Sequence, residues 1–206
     1  YPNLSGAIAD INHRGVSGAI VFNLTDANYD TSNINGNNIF PILIGPVTGT
    51  SASNTITIQR SSGNATLTYN GSQQGGNISC AANSALIGTS TEPILGLVGA
   101  DFVRLNNIVL NQNGSANFVD RGLSVMNVSA TDGATNNIFT GISVTLNRSN
   151  TSTIAIHQNV QATAATSTAG ANSNNKYINL TLRNTYNGIN LTGSSAFPDQ
   201  TCEIGN

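Results

Sequence analysis

The chain has 206 residues, enough to bury a substantial core, and only 8% of them are charged. Ordinary domains carry roughly 25% charged residues. Its net charge of −2 gives no electrostatic case for nucleic acid or for an anionic membrane. No apolar run is long enough for a membrane-spanning helix, so membrane insertion is not expected. Abundant Val, Ile and Leu in short alternating runs is not a disordered signature.

Residues 1–15 read as the one helix. Asn3 caps it, Leu4, Ala7, Ile8 and Ile11 form its apolar face, and Gly15 stops it. Residues 18–24 (GAIVFNL) form a strand, and an Asn-, Asp- and Gly-rich loop follows through Asn38. Residues 40–44 give a second apolar run, with Pro41 marking an edge or a strand start. Short alternating runs then recur at Ile56/Ile58, Leu67/Tyr69, Ile78/Cys80 and residues 94–98, separated by Gly, Ser and Asn turns. These spacings leave no room for crossover helices. Gly99 and Ala100 make a tight corner before Asp101, and residues 162–175 form a polar insert expected to project as a loop.

The second half repeats one phrase. Leu105-x-x-Ile108-x-Leu110, Phe139-x-x-Ile142-x-Val144 and Tyr177-x-x-Leu180-x-Leu182 each precede a further alternating pair: Leu123/Val125, Ile154/Ile156 and Ile189/Leu191. Recurring short strands at such a period mean stacked coils. A β-sandwich also has short strands between turns. The repeated phrase favours an all-β, right-handed parallel β-helix, with a short N-terminal amphipathic helix capping one open end. The nine phrase residues are then the coil core. Residues 1–45 hold the cap and first strands and 46–206 the coils, as one domain or a section of a longer array; the ending at Asn206 favours a section.

Tyr1-Pro-Asn-Leu-x-x-Ala-Ile-x-Asp-Ile-Asn, Gly18-x-Ile-Val-Phe-Asn-Leu and Pro46-Val-Thr-Gly-Thr-Ser-Ala-Ser-Asn-Thr-Ile-Thr-Ile together resemble the opening of right-handed β-helix modules in very large secreted bacterial surface proteins. Gly99-Ala-Asp-Phe-Val-x-Leu-x-Asn-Ile-x-Leu resembles a coil-opening phrase of the pectin-lyase-like fold. The resemblance implies an extracellular or cell-surface location. It does not choose a function, since this fold hosts lyases, hydrolases, adhesins and plain spacers.

Enzymes of that fold carry clustered acids: Asn-Thr-Asp, Asp-Asp and Gly-His-Gly phrases in the hydrolases, calcium-binding carboxylates and a basic Arg in the lyases. None of those phrases occurs here, and seven Asp and two Glu are spread along the chain. Asp26/Asp30 and Asp101/Asp120/Asp132 come closest. Asp120-Arg121 is the best catalytic suspect, with Asp101 and Asp120 as a conceivable carboxylate pair. The plainer reading has Asp101 capping a corner and Asp120 paired with an Arg. His13 closes the helix, where a cation suits its dipole, and His157 points outward from a strand. No metal or cofactor motif is present, so no catalytic residue, metal ligand or cofactor is assigned.

Cys80 and Cys202 are either one disulfide or two buried thiols; a bridge would close a long loop worth about 4 kcal/mol. Eleven Asn-x-Ser/Thr sequons occur. Several with an apolar middle residue, as in Asn23-Leu-Thr, Asn179-Leu-Thr and Asn190-Leu-Thr, follow from strand alternation, with Leu inside and its neighbours outside. Thr55/Thr57 and Thr66/Thr68 raise an ice-binding face, but Thr145, Thr181 and Thr192 break the required repetition. The expected function is a non-catalytic structural or adhesive module that associates with copies of itself or neighbouring β-helix modules, with surface glycans as a further partner. The alternative is a carbohydrate-binding or polysaccharide-degrading β-helix, which the scarcity of aromatics (5%, no Trp) weakens.

Overall fold

The computed structural model describes residues 1, 3–30, 38, 40–60, 62–69, 93–113, 119–160 and 163–206. The expected strand at Ile78/Cys80 lies outside these residues. One helix, α1 (Leu4–Arg14), precedes sixteen strands among the described residues. They are β1 (Ile20–Asn23), β2 (Asn28–Asp30), β3 (Ile42–Ile44), β4 (Ile56–Gln59), β5 (Ala65–Tyr69), β6 (Pro93–Val98), β7 (Val103–Asn106) and β8 (Ile108–Gln112). Then come β9 (Arg121–Met126), β10 (Ile138–Thr140), β11 (Ser143–Thr145), β12 (Ile154–Asn159), β13 (Lys176–Ile178), β14 (Thr181–Arg183), β15 (Asn187–Leu191) and β16 (Glu203–Gly205).

Every third strand pairs in parallel. The first sheet runs β1-β4-β7-β10-β13-β16, the second β14-β11-β8-β5-β2 and the third β15-β12-β9-β6-β3. The described residues form a parallel β-helix of five three-stranded coils, with β16 opening a sixth. Period-2 alternation aligns like residues into inner columns. In the first sheet, Phe22, Ile58, Leu105, Phe139, Tyr177 and Ile204 are successive register partners. Tyr29, Leu67, Leu110, Val144 and Leu182 line the second. Ile44, Leu97, Val125, Gln158 and Leu191 line the third.

The repeated sequence phrase proves to be two strands and a corner. Leu105 lies one residue before the end of β7, Ile108 opens β8, and Asn107 between the strands is left-handed, with φ 56°. Gly141 (φ 67°) and Asn179 (φ 54°) take the same place in the next two coils. Phe102, Asn136, Asn174 and Thr201 form a second left-handed column just before the first-sheet strands, all with φ between 55° and 60°. Asn and Gly reach this region at low steric cost.

The expected projecting insert instead packs back. Residues 163–175 hold a 3-10 turn at Thr168–Gly170 and stack on the preceding coil's loop, with Thr166 N–H donating to Ala130 O (2.8 Å) and Gly133 N–H to Ala169 O (2.8 Å). A Cβ on Gly133 would land on the Ala171 carbonyl, and one on Gly170 on the Ala130 carbonyl. The spacing between these layers therefore requires glycine.

Candidate functional site: the open end and its buried polar network

The two ends of the solenoid differ. At the first coil, α1 buries Leu4, Ala7, Ile8 and Ile11. Its N-terminus is held by Asn3 Oδ1, which accepts from Gly6 N (2.7 Å), and by Asn38 Oδ1, which accepts from Leu4 N (3.0 Å) and Ser5 N (3.2 Å). Asn12 pins the helix to β3, donating to Leu43 O (2.9 Å) and accepting from Gly45 N (3.0 Å). His13 and Arg14 occupy the last turn. Tyr1 Oη donates to Asp10, which also pairs with Arg14 at 2.6 Å. A cleft of about 210 Å³ remains between α1 and β1, lined in part by Leu4, Ala7, Phe22 and Leu24.

At the last coil the inner wall reaches solvent. Leu105, Ile108, Leu110, Phe139, Ile142, Val144 and Tyr177 are fully buried, whereas Leu180 and Leu182 are only partly so. Ile189 is 36% exposed and Ile204, next in the column after Tyr177, is 53% exposed. Strands β14, β15 and β16 are the edges of their sheets.

Just inside that end the core turns polar. Asn137 and Asn175 replace aliphatic residues in the column that begins Ile20, Ile56, Val103. Asn137 Oδ1 accepts from Val103 N (2.8 Å), and Asn175 Oδ1 accepts from Asn137 N (3.0 Å). A parallel ladder runs beside it: Asn172 Oδ1 accepts from Ala134 N (3.0 Å) and Asp199 Oδ1 from Asn172 N (2.8 Å).

Gln158 joins the two ladders. Its Oε1 accepts from Tyr177 Oη (2.7 Å) and Asn175 Nδ2 (3.0 Å). Its Nε2 donates to Asp199 Oδ2 (2.7 Å) and Asn172 O (3.0 Å), with Cys202 Sγ at 3.4 Å. Gln158, Asn172 and Asn175 are completely buried, and each finds partners, as buried polar groups must. Burial raises the Asp199 carboxyl above its usual range and the Tyr177 phenol well above its own.

Several of the suspected acids are hydrogen-bonded at corners of the coils. Asp101 Oδ1 accepts from Thr135 N (2.6 Å) and Thr135 Oγ1 (2.8 Å), joining adjacent coils at a corner. Asp120 sits at another corner, before β9, and accepts from Asn150 Nδ2 (3.0 Å). The carboxylate that feels the charge of Asp101 is Asp132, raised first by burial and then by that charge. The expected pairing of Asp120 with an Arg is not seen among the described residues. The Arg121 guanidinium donates to the Asp120 carbonyl (2.9 Å) and to Ser152 O. Asp30 accepts from Asn28 Nδ2 (2.8 Å), and Asp26 N–H donates to Tyr29 Oη (3.2 Å). Among the described residues, no group of three or more metal-ligating side chains converges.

His157 points out of the third sheet but is buried, with Nδ1 3.2 Å from Ser124 Oγ. Burial, aided by the charge of Arg121, lowers its pKa to about 4. Cys80, and with it the candidate disulfide, lies outside the described residues, while Cys202 is half-buried in the polar network. Of the tyrosines, Tyr29, Tyr69 and Tyr177 are buried; Tyr1 and Tyr186 are exposed. No helix among the described residues is long and apolar enough to cross a membrane.

Sequence reasoning missed the Gln158 network. The spacing signal was present: Asn137 and Asn175 stand two residues before Phe139 and Tyr177, an inward position in the same strand period. Comparison with known proteins finds no matching family model, no matching curated protein and no matching solved structure.

Proposed function

We propose that the chain is a non-catalytic structural and adhesive module of an extracellular surface or filament-forming protein. In this reading it belongs with the β-helix modules of large secreted bacterial surface proteins that its opening phrases resemble. The coils supply reach and rigidity, since each needs only its neighbours for support. The partners are copies of the chain or adjoining β-helix modules, with surface glycans as an adhesive target.

The observation that carries this reading is the contrast between the ends. A helix covers the first coil, while Leu182, Ile189, Leu191 and Ile204 leave an apolar wall incompletely covered at the last. Three parallel edges beside that wall offer backbone groups to a further strand. Continuation of the coils beyond Ile189 satisfies both, and association end to end covers the apolar wall. Contact between unlike ends is heterologous and builds open filaments. An almost uncharged surface lets copies approach without repulsion.

Static light scattering of the chain over a concentration series tests the proposal. The expected result is a mass that climbs with concentration, and an Ile204→Asp variant that stays monomeric. A wild-type chain that remains monomeric throughout, with its last coil solvated, would overturn it.

A further inference from the structure

We propose that Cys202 and Gln158 form an internal thioester at the open end of the solenoid, with release of ammonia. This rests on the geometry around Gln158 and not on the structural-module reading.

A primary amide becomes an electrophile when its oxygen is held by donors and a nucleophile sits beside it. Gln158 meets both conditions. Tyr177 Oη–H and Asn175 Nδ2–H converge on Oε1 at 2.7 and 3.0 Å, the distances of an oxyanion hole. Cys202 Sγ accepts from Nε2 at 3.4 Å and donates to Asn172 O at 3.5 Å. Asp199 Oδ2 is 2.7 Å from the same nitrogen, placed to pass a proton to it as it leaves. Gln158 and Tyr177 are completely buried, so water is kept from the carbonyl, whereas Cys202 and Asp199 are half-buried beside the opening. Burial raises the Asp199 carboxyl, while the hydrogen bonds it accepts from Asn172 N and Gln158 Nε2 act the other way.

The step balances without an oxidant. The thiol turns from its contact with Nε2 to stand over the amide plane, and Sγ bonds to Cδ. Charge gathers on Oε1 between Tyr177 and Asn175. The Cδ–Nε2 bond then breaks, and the thiol's proton, relayed by Asp199, leaves with nitrogen as ammonia. Fixing both groups in one folded core supplies the effective concentration that such an acyl transfer needs. The product ties β12 of the fourth coil to the entry of β16, bracing the least covered part of the solenoid. It is also an activated acyl group that an amine could open.

Intact-mass spectrometry of the chain, prepared without amine buffers, tests the proposal. The expected mass falls short of the sequence mass by one ammonia. After digestion at Arg and Lys, the peptide holding Gln158 should be found joined to the one holding Cys202. Methylamine should free the thiol and leave its own mass on Gln158. In Cys202→Ser, which keeps the side chain's size, the deficit should vanish. In Tyr177→Phe the linked fraction should fall while circular dichroism stays unchanged. A chain at full sequence mass with a titratable Cys202 thiol overturns the proposal. So does a deficit of two hydrogens, the mark of a Cys80–Cys202 disulfide, or an ammonia deficit that persists in Cys202→Ser. None of these masses depends on whether copies associate, so the outcome is separate from that of the light-scattering experiment.

Discussion

His157 shows how a residue that looks solvent-facing by strand period is enclosed by its neighbours. With a folded pKa of about 4 against 6.5 unfolded, the native state binds fewer protons between those values. Its contribution to stability is therefore present above pH 6.5 and is lost as pH falls toward 4. The full loss is about 3 kcal/mol. The raised carboxyls of Asp101, Asp132 and Asp199 act with the opposite sign, becoming more favourable as pH falls through their folded values. Comparing wild type with His157→Gln isolates the histidine. Urea unfolding at pH 7 and pH 4.5 should show a larger acid loss in wild type; equal losses would contradict the assignment. Glycine at layer contacts is equally specific. Gly133→Ala should cost roughly 1–3 kcal/mol through overpacking, measured by thermal melts. Gly18, with nothing within 4 Å of an added Cβ, is the matched control.

At the scale of elements, left-handed residues bracket the first-sheet strands. Asn136 and Gly141 enclose β10, Asn174 and Asn179 enclose β13, and Phe102 and Asn107 enclose β7. Thr201 occupies the same column at φ 55°, a costly place for a β-branched side chain. Thr201→Asn should therefore stabilise the chain by about 1 kcal/mol, and Asn107→Val should destabilise it by a similar amount or more, both read from urea midpoints. Unchanged midpoints in both would refute the corner account.

The apolar strand residues were legible because alternation fixes which side chains face inward, and Leu105, Phe139 and Tyr177 each carry a large group at the same step. The corners were less so. Asn is so common here that Asn107, Asn136, Asn174 and Asn179 do not stand out from their neighbours. The inward Asn137, Gln158, Asn172 and Asn175 were hidden for a related reason: a polar residue reads as outward until its buried partners are seen. Asp101 could be read as a corner cap because its Gly99-Ala100 turn was local. Its partner Thr135, a whole coil away, could not be.

For the whole molecule, stability is a sum over neighbouring coils, so the ends decide where it opens. The α1 cap closes the first coil. Ile8→Ala, which hollows the contact beneath it, should cost about 2–5 kcal/mol in chemical unfolding. Hydrogen exchange should show slow amides in β7 to β12 and fast ones in β14 to β16, where Leu182, Ile189 and Ile204 lack cover. That gradient is what an end-to-end contact would remove. Electron microscopy of the native material carrying this chain tests the structural-module account most directly. The account predicts thin rods joined end to end into filaments or ordered surface arrays. Separate, compact particles that stay apart at high concentration would contradict it.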